Sequence, residues 1–155
     1  MTPHAHAPVV DGPAELTAEW ITSALRTKLP DAHVRSVERE AIGTGQIGAS
    51  YRLTLDGTGG VPATLVAKIA AGDRATRERV AQGYRKEVGF YTVFRDRVEV
   101  RTPRCWYAAI SDDLCAFVLL LDDLAPATPG VRADGCTLGR ATDAVQNLAG
   151  RRLPR

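Results

Sequence analysis

Three polar features follow one another in the first half of the chain, and their residue types and order would suit a phosphate group. A Gly-Thr-Gly-Gln-Ile-Gly motif spans residues 43–48, between two stretches of strand-like alternation at 34–42 and 50–56. Lys68 ends the next apolar stretch, and Glu87 lies on a predicted helix after it. A loop of free backbone amides, a strand lysine and a helix carboxylate are parts from which phosphate-binding sites are built.

The glycine motif has three interpretations. In a loop between two strands, Gly43, Gly45, Gln46 and Gly48 would cover the phosphates, because glycine-rich backbone offers amides without obstructing side chains. In a dinucleotide-binding fold, the same spacing opens a helix whose N-terminus holds a pyrophosphate. The alternation at residues 51–55 favours a strand there instead. The third interpretation is a plain flexible turn, since isolated glycine patterns are common.

Lys68 stands among apolar residues, where lysine is rare unless its charge has a partner. It comes one hairpin after the glycine motif, so its ammonium group could point beneath that loop. There it would meet the α- and β-phosphates as a compact positive charge. The alternative is an edge-strand lysine that reaches solvent.

The predicted helix carries an apolar stripe formed by Val80, Tyr84, Tyr91, Phe94 and Val98. Glu87 fills the gap between Tyr84 and Tyr91, which would direct its carboxylate toward the sheet. A buried carboxylate needs a cation, and Lys68 is the natural candidate. In the alternative, Val88 holds the inward position. Glu87 then lies at the boundary and pairs with a basic residue of its own helical stretch, Arg95 or Lys86.

Asp122, Asp123 and Leu124 follow an apolar strand and precede a proline-rich segment. A buried strand that runs into an extended segment offers backbone amides and carbonyls. Such groups could hydrogen-bond to the edge of an adenine ring, and in its place after the other three features the segment fits a hinge between two lobes.

The predicted order of helices and strands, in which short hairpins dominate, indicates an α+β fold with a mainly antiparallel five-stranded sheet. Gly83 and Gly89 weaken the second helix by roughly 1 kcal/mol each, so it could break near Gly83. Residues 1–14 are rich in Pro, Ala and His and are predicted to be disordered. The predicted strands are 34–42, 50–56, 63–70, 104–110 and 114–121, and the predicted helices are 18–29, 72–97 and 137–149.

The composition narrows the class of protein. The chain has 155 residues, 45% hydrophobic content and a net charge of +2 with acids and bases interspersed, which argues against a nucleic-acid surface. No apolar run is long enough to span a membrane, and the start does not resemble a secretory signal. The three cysteines are an odd number without metal-type spacing, so we expect reduced thiols, no metal site and a cytoplasmic protein.

With these parts in this order, residues 15–149 resemble the small-molecule kinases of the aminoglycoside phosphotransferase and choline-kinase-like group. The ecdysteroid-kinase-like branch is suggested by Glu-Val-Gly-Phe-Tyr at 87–91 and Leu-Leu-Leu-Asp-Asp-Leu at 119–124. The resemblance implies a protein-kinase-like N-terminal lobe that binds ATP. The glycines would cover the phosphates, Lys68 would hold them, Glu87 would orient Lys68, and the backbone of 122–124 would hold the adenine.

The chain departs from that family after the lobe. The family's second lobe carries a His-Gly-Asp-type catalytic loop, and this sequence has no histidine after His33. We therefore expect a lobe at 15–124, followed by a connector and the first helix of a truncated second lobe at 125–155, with no catalytic or metal-binding residues. Mg²⁺ would be expected only with the missing lobe.

The expected function is ATP binding for phosphoryl transfer to a hydroxyl group of a small acceptor, without turnover by this chain alone. The apolar side of the last helix would be exposed and could cause self-association. The alternatives are a non-enzymatic module that binds a nucleotide or a partner and, less favoured, a dinucleotide-dependent oxidoreductase.

Overall fold

A computed structural model describes residues 7–43, 48–127 and 135–149. They form an α+β structure around one five-stranded sheet with the spatial order β1-β2-β3-β5-β4, in which every neighbouring pair is antiparallel. The predicted α+β class and antiparallel sheet are confirmed. The strands are β1 (His33–Ile42), β2 (Gly48–Thr58), β3 (Thr64–Ala70), β4 (Cys105–Ile110) and β5 (Phe117–Asp122), and the helices are α1 (Ala18–Leu25), α2 (Arg74–Gly89) and α3 (Leu138–Leu148).

One face of the sheet packs against α1. The side chain of Thr17 caps this helix by accepting a hydrogen bond from the backbone amide of Trp20 at 3.2 Å. The helix ends at Leu25, four residues earlier than predicted, because residues after it turn toward β1. The largest fully buried side chains in this part of the core are Val10, Leu16, Ile21, Leu25, Leu53, Leu65, Ile69, Val118 and Leu120.

The N-terminal segment is part of this core. Ala7 and Val10 are buried, and the carbonyl groups of residues 7 and 8 accept hydrogen bonds from Tyr107 Oη at 2.5 Å and Trp20 Nε1 at 2.7 Å. The prediction of disorder is therefore wrong for residues 7–14, while residues 1–6 lie outside the described part. The few apolar residues of this proline-rich segment form no helical or strand periodicity, so the sequence does not indicate that the segment packs against the core.

The other face of the sheet packs against α2. Asp73 caps this helix through the backbone amide of Thr76 at 2.8 Å, and the helix runs without a break through Gly83. The expected break there is wrong, because the turns on either side of Gly83 are held by packing on the sheet. Tyr84 stacks on Phe117 of β5 with ring centroids 4.5 Å apart.

The helical stretch changes character after Gly89. Phe90–Phe94 form a π-helical turn and Arg95–Arg97 a short 3₁₀ turn. This change of helical period rotates the later residues away from the sheet, so that Phe94 is 55% exposed and Val98 is 37% exposed. The predicted apolar stripe therefore faces the sheet as far as Tyr91, and its later residues, Phe94 and Val98, do not.

Helix α3 is attached to the rest of the chain through an amide side chain. Asn147 Oδ1 accepts from the backbone amide of Arg101 at 2.9 Å, and Asn147 Nδ2 donates to the Arg101 carbonyl at 3.3 Å. Its apolar side chains Leu138, Val145 and Leu148 are exposed by 84%, 64% and 72%. Within the described ranges, no helix has both the length and the apolar character needed to cross a membrane.

Candidate functional site

Lys68 and Glu87 form an ion pair between β3 and α2. Lys68 lies in β3 opposite Ser50 of β2 and Leu119 of β5, and its side chain points to the face that α2 covers. Its Nζ lies 2.5 Å from Glu87 Oε1. The two side chains are 27% and 32% exposed, so the pair stands at the margin of the packed region and remains open to a ligand.

The placement of Glu87 combines the two interpretations of its helix. Val88 is 6% exposed and holds the inward position, as the alternative expected. Glu87 is at the boundary, but it pairs with Lys68 and not with its own helical stretch. Arg95 Nη1 instead lies 3.6 Å from Asp96 Oδ1.

The described glycines of the motif serve two different backbone requirements. Gly43 directly follows β1 and has a φ of +70°, in the left-handed region that favours glycine. Gly48 opens β2, where a Cβ atom would stand 2.7 Å from the Ile69 carbonyl oxygen. Gly48 therefore has a packing reason that needs no ligand. Gly45 and Gln46 lie outside the described residues.

The element that follows the glycine motif is a strand. β2 begins at Gly48, two residues before the predicted start, and pairs with β1 and β3 on its two sides. A dinucleotide-binding turn would instead lead into a helix whose N-terminus faces the pyrophosphate. The local structure therefore disfavours the dinucleotide interpretation.

A cavity of about 380 Å³ lies on the same face of the sheet as Lys68. Its apolar lining comes from Ile42 of β1, Val66 of β3 and Leu121 of β5. Val66 and Lys68 are alternate residues of one strand, so their side chains point the same way and stand about 7 Å apart. Lys68 is not itself a lining residue, but it stands one alternate strand position beyond the apolar surface that Val66 contributes to the cavity.

The segment after β5 forms one wall of this cavity, and part of its hydrogen-bonding capacity is already used. The Asp122 amide donates to the Arg104 carbonyl at 2.9 Å, and the Asp122 carboxylate accepts from Trp106 Nε1 at 2.7 Å. The Leu124 carbonyl accepts from the Ala127 amide at 2.9 Å. These three groups are therefore not free to hydrogen-bond to a base, and the expectation for the other backbone groups of 122–124 stays a prediction.

The site contains an ion pair that the sequence analysis missed. Arg52 Nε donates to Asp123 Oδ2 at 2.7 Å, and both residues line the cavity. The Asp123 side chain is 6% exposed and that of Arg52 is 34% exposed. The hydrogen bond from Arg52 lowers the pKa of Asp123, and the same bond raises the pKa of Arg52. Alternation placed Arg52 on a polar side of β2, but nothing local indicates a partner 71 residues away.

The remaining nucleophilic and metal-binding groups do not form a second centre in the described residues. Cys105, Cys115 and Cys136 are free, and burial raises the pKa of the Cys105 thiol, which keeps it protonated. In the parts of the chain that the structure describes, no group of three His, Cys, Asp or Glu side chains could hold a metal ion.

Comparison of the chain with protein-family models, with curated proteins and with solved structures found no match. The functional conclusion is therefore drawn from the geometry of the cavity and of the charged groups beside it.

Proposed function

We propose that the chain is the ATP-binding lobe of a small-molecule phosphotransferase. The observation that carries the proposal is the position of the Lys68–Glu87 pair next to an apolar cavity, on one face of the sheet and near the ends of the glycine-motif strands. An apolar slot with a few polar groups suits a nucleobase. A lysine held by a carboxylate suits the phosphates that the base carries.

In this proposal each group has its own task. The base would lie against Val66 and Leu121, and the phosphates would extend along β3 toward Lys68. Glu87 would keep the Lys68 ammonium group directed at them, because a charge-assisted hydrogen bond fixes a side chain that otherwise has many rotamers. Backbone amides of the glycine motif would supply further donors to the phosphate oxygens.

Only the family resemblance supports phosphoryl transfer as the reaction of the complete enzyme. Phosphoryl transfer needs an aligned acceptor hydroxyl, a group that takes its proton and Mg²⁺ bound to the phosphates. A His-Gly-Asp-type loop is not found in this sequence, which has no histidine after His33. We therefore expect nucleotide binding without phosphorylation of an added alcohol. The three free thiols fit a reducing compartment, and we propose the cytoplasm.

Titration of the full chain with ATP, followed by calorimetry, tests this function. Lys68→Ala should weaken ATP binding about tenfold to a hundredfold, because it removes a charge-assisted contact with the phosphates. Lys86→Ala is the matched control, since Lys86 is an exposed lysine of the same helix that carries Glu87. The proposal is wrong if the wild-type chain binds no ATP or if the two variants bind it equally.

The second candidate is a non-enzymatic module that binds a partner protein. The exposed apolar side of α3 favours it, because such a surface in a folded chain commonly marks a contact site. A partner-binding module would tolerate Lys68→Ala and would lose its partner when α3 is changed. A kinase lobe would instead lose ATP binding in Lys68→Ala and keep it when α3 is changed.

A further inference from the structure

A second ion pair spans the cavity beside Lys68 and joins the sheet to the segment that follows it. Arg52 belongs to β2, whereas Asp123 belongs to the connector that begins directly after β5. Two hydrogen bonds join them, from Arg52 Nε to Asp123 Oδ2 at 2.7 Å and from Arg52 Nη2 to Asp123 Oδ1 at 3.5 Å. Two bonds from one planar guanidinium group fix the orientation of the carboxylate as well as its position.

The oriented carboxylate in turn holds the connector. Asp123 Oδ1 accepts a hydrogen bond from the backbone amide of Ala125 at 3.0 Å, which closes a local turn. Asp123, Leu124 and Ala125 all line the cavity. The position of this wall therefore depends on a contact made by a strand on the opposite side of the cavity.

We propose that Arg52 is a positioning residue that shapes the half of the site that receives the base and ribose. It holds Asp123, and through Asp123 it holds the wall formed by residues 123–125. This inference rests on the proposed nucleotide site and assigns two of its residues to different parts of the nucleotide. Arg52 serves the base and ribose, whereas Lys68 serves the phosphates.

The burial of the carboxylate separates this pair from an ordinary surface ion pair. Arg35 and Asp56 form a similar two-point contact at the other end of the β1–β2 hairpin, but their side chains are 52% and 59% exposed. Exposed pairs contribute little to stability because water competes for both charges. Asp123 is nearly buried, so loss of Arg52 would leave its charge without a cation, held only by hydrogen bonds from Thr64 and the Ala125 amide, and would favour a connector rearranged toward solvent.

The test compares Arg52→Met with Arg35→Met in the full chain, with adenosine and inorganic tripolyphosphate as separate ligands. Both changes remove one guanidinium group from the same hairpin, and Arg35 is not among the residues lining the cavity. Arg52→Met should weaken adenosine binding about tenfold, as expected when the competent wall conformation falls to about a tenth of the population. Its tripolyphosphate affinity should stay within about twofold. Arg35→Met should change neither affinity.

Hydrogen exchange supplies a readout that does not depend on a nucleotide. The Ala125 amide should exchange faster in Arg52→Met than in the wild-type chain, while core amides of β3 keep their protection. Arg52→Lys should restore part of the adenosine affinity, because an ammonium group can still make one charge-assisted bond to Asp123.

The outcomes separate this inference from the proposed function. Unchanged adenosine affinity and unchanged Ala125 exchange in Arg52→Met would overturn the positioning role, even if Lys68→Ala abolishes ATP binding. Equal losses of adenosine and tripolyphosphate affinity would also overturn it, since they would show a general structural role. A wild-type chain that binds neither ATP nor adenosine would remove both the proposed function and the inference.

Discussion

Two buried tyrosines that pack against opposite faces of the sheet differ in what their hydroxyl groups contact. Tyr107 Oη donates to the Ala7 carbonyl at 2.5 Å. Tyr84 Oη is buried and has no hydrogen-bond partner among the described residues, although its ring stacks on Phe117. A buried polar group without a partner costs free energy, whereas removing one member of a buried bond leaves the other unsatisfied.

We predict opposite results for the two Tyr→Phe changes. Tyr84→Phe should leave the free energy of unfolding within about 0.5 kcal/mol of wild type or raise it, because the ring stays and the unpaired hydroxyl goes. Tyr107→Phe should lower it by about 1–3 kcal/mol. Urea unfolding measures both. An equal loss in the two variants would mean that the Tyr84 hydroxyl has a partner after all.

At the scale of elements, the connector after β5 is tied to the sheet by a charge whose state depends on pH. The hydrogen bond from Arg52 lowers the pKa of Asp123 below its usual 3.8. Asp123 is then ionised in the folded chain at a pH where an unfolded chain would begin to take up the proton. The pair therefore adds stability above the usual pKa, and this contribution disappears as the pH falls through the folded pKa.

We predict that Asp123→Asn destabilises the chain by about 1–3 kcal/mol at neutral pH, because a charge-assisted bond is lost. The difference from wild type should shrink once the pH falls below the usual carboxyl pKa of 3.8 and on through the lowered folded pKa, and it should vanish where Asp123 is protonated in both states. Urea unfolding across that range measures it, and Asp112→Asn is the control, since Asp112 is exposed and has no ion pair among the described residues. A difference that is independent of pH would contradict the role of the Asp123 charge.

The strands and the Lys68–Glu87 pair could be predicted from the sequence because local patterns carry them. Each strand alternates or is apolar throughout, Lys68 is a charged residue within an apolar strand, and Glu87 lies at the boundary of the helix face that packs on the sheet. The exposure of Phe94 could not be predicted, because a single π-helical turn shifts the period without a sequence signal. The Arg52–Asp123 pair was missed because it joins residues that only the β2-β3-β5 strand order brings together.

At the scale of the whole molecule, α3 exposes most of its apolar surface. Leu138, Val145 and Leu148 are all more than half exposed, and the described contacts of this helix with the sheet domain include the two Asn147 bonds to Arg101. Association would remove this apolar helix face from water, and the removal of apolar surface from water favours association. The proposal of self-association rests on this face.

We predict that the wild-type chain associates as its concentration rises and that Val145→Glu returns it toward the monomer, since a charge on the apolar face opposes its burial. Arg140→Gln is the matched control, because it changes the net charge by the same amount at an exposed position on the other side of α3. Sedimentation velocity measures the outcome. A wild-type monomer at every concentration, with no binding of a hydrophobic dye, would count against this surface.

The strand order also predicts an order in which the parts of the sheet form. The meander β1-β2-β3 and the hairpin β4-β5 each form from neighbours in sequence, whereas the β3–β5 ladder joins residues from distant parts of the chain. Contacts of that kind close late, because a long loop loses its entropy before they are made. Lys68 pairs with Leu119 inside that ladder, and Val66 pairs with Leu121. Lys68 and Val66 are placed by the β1-β2-β3 meander, whereas the cavity floor is complete only when Leu121 of β5 joins them. We therefore expect a chain that lacks the β3–β5 ladder to present the cation beside an unfinished cavity.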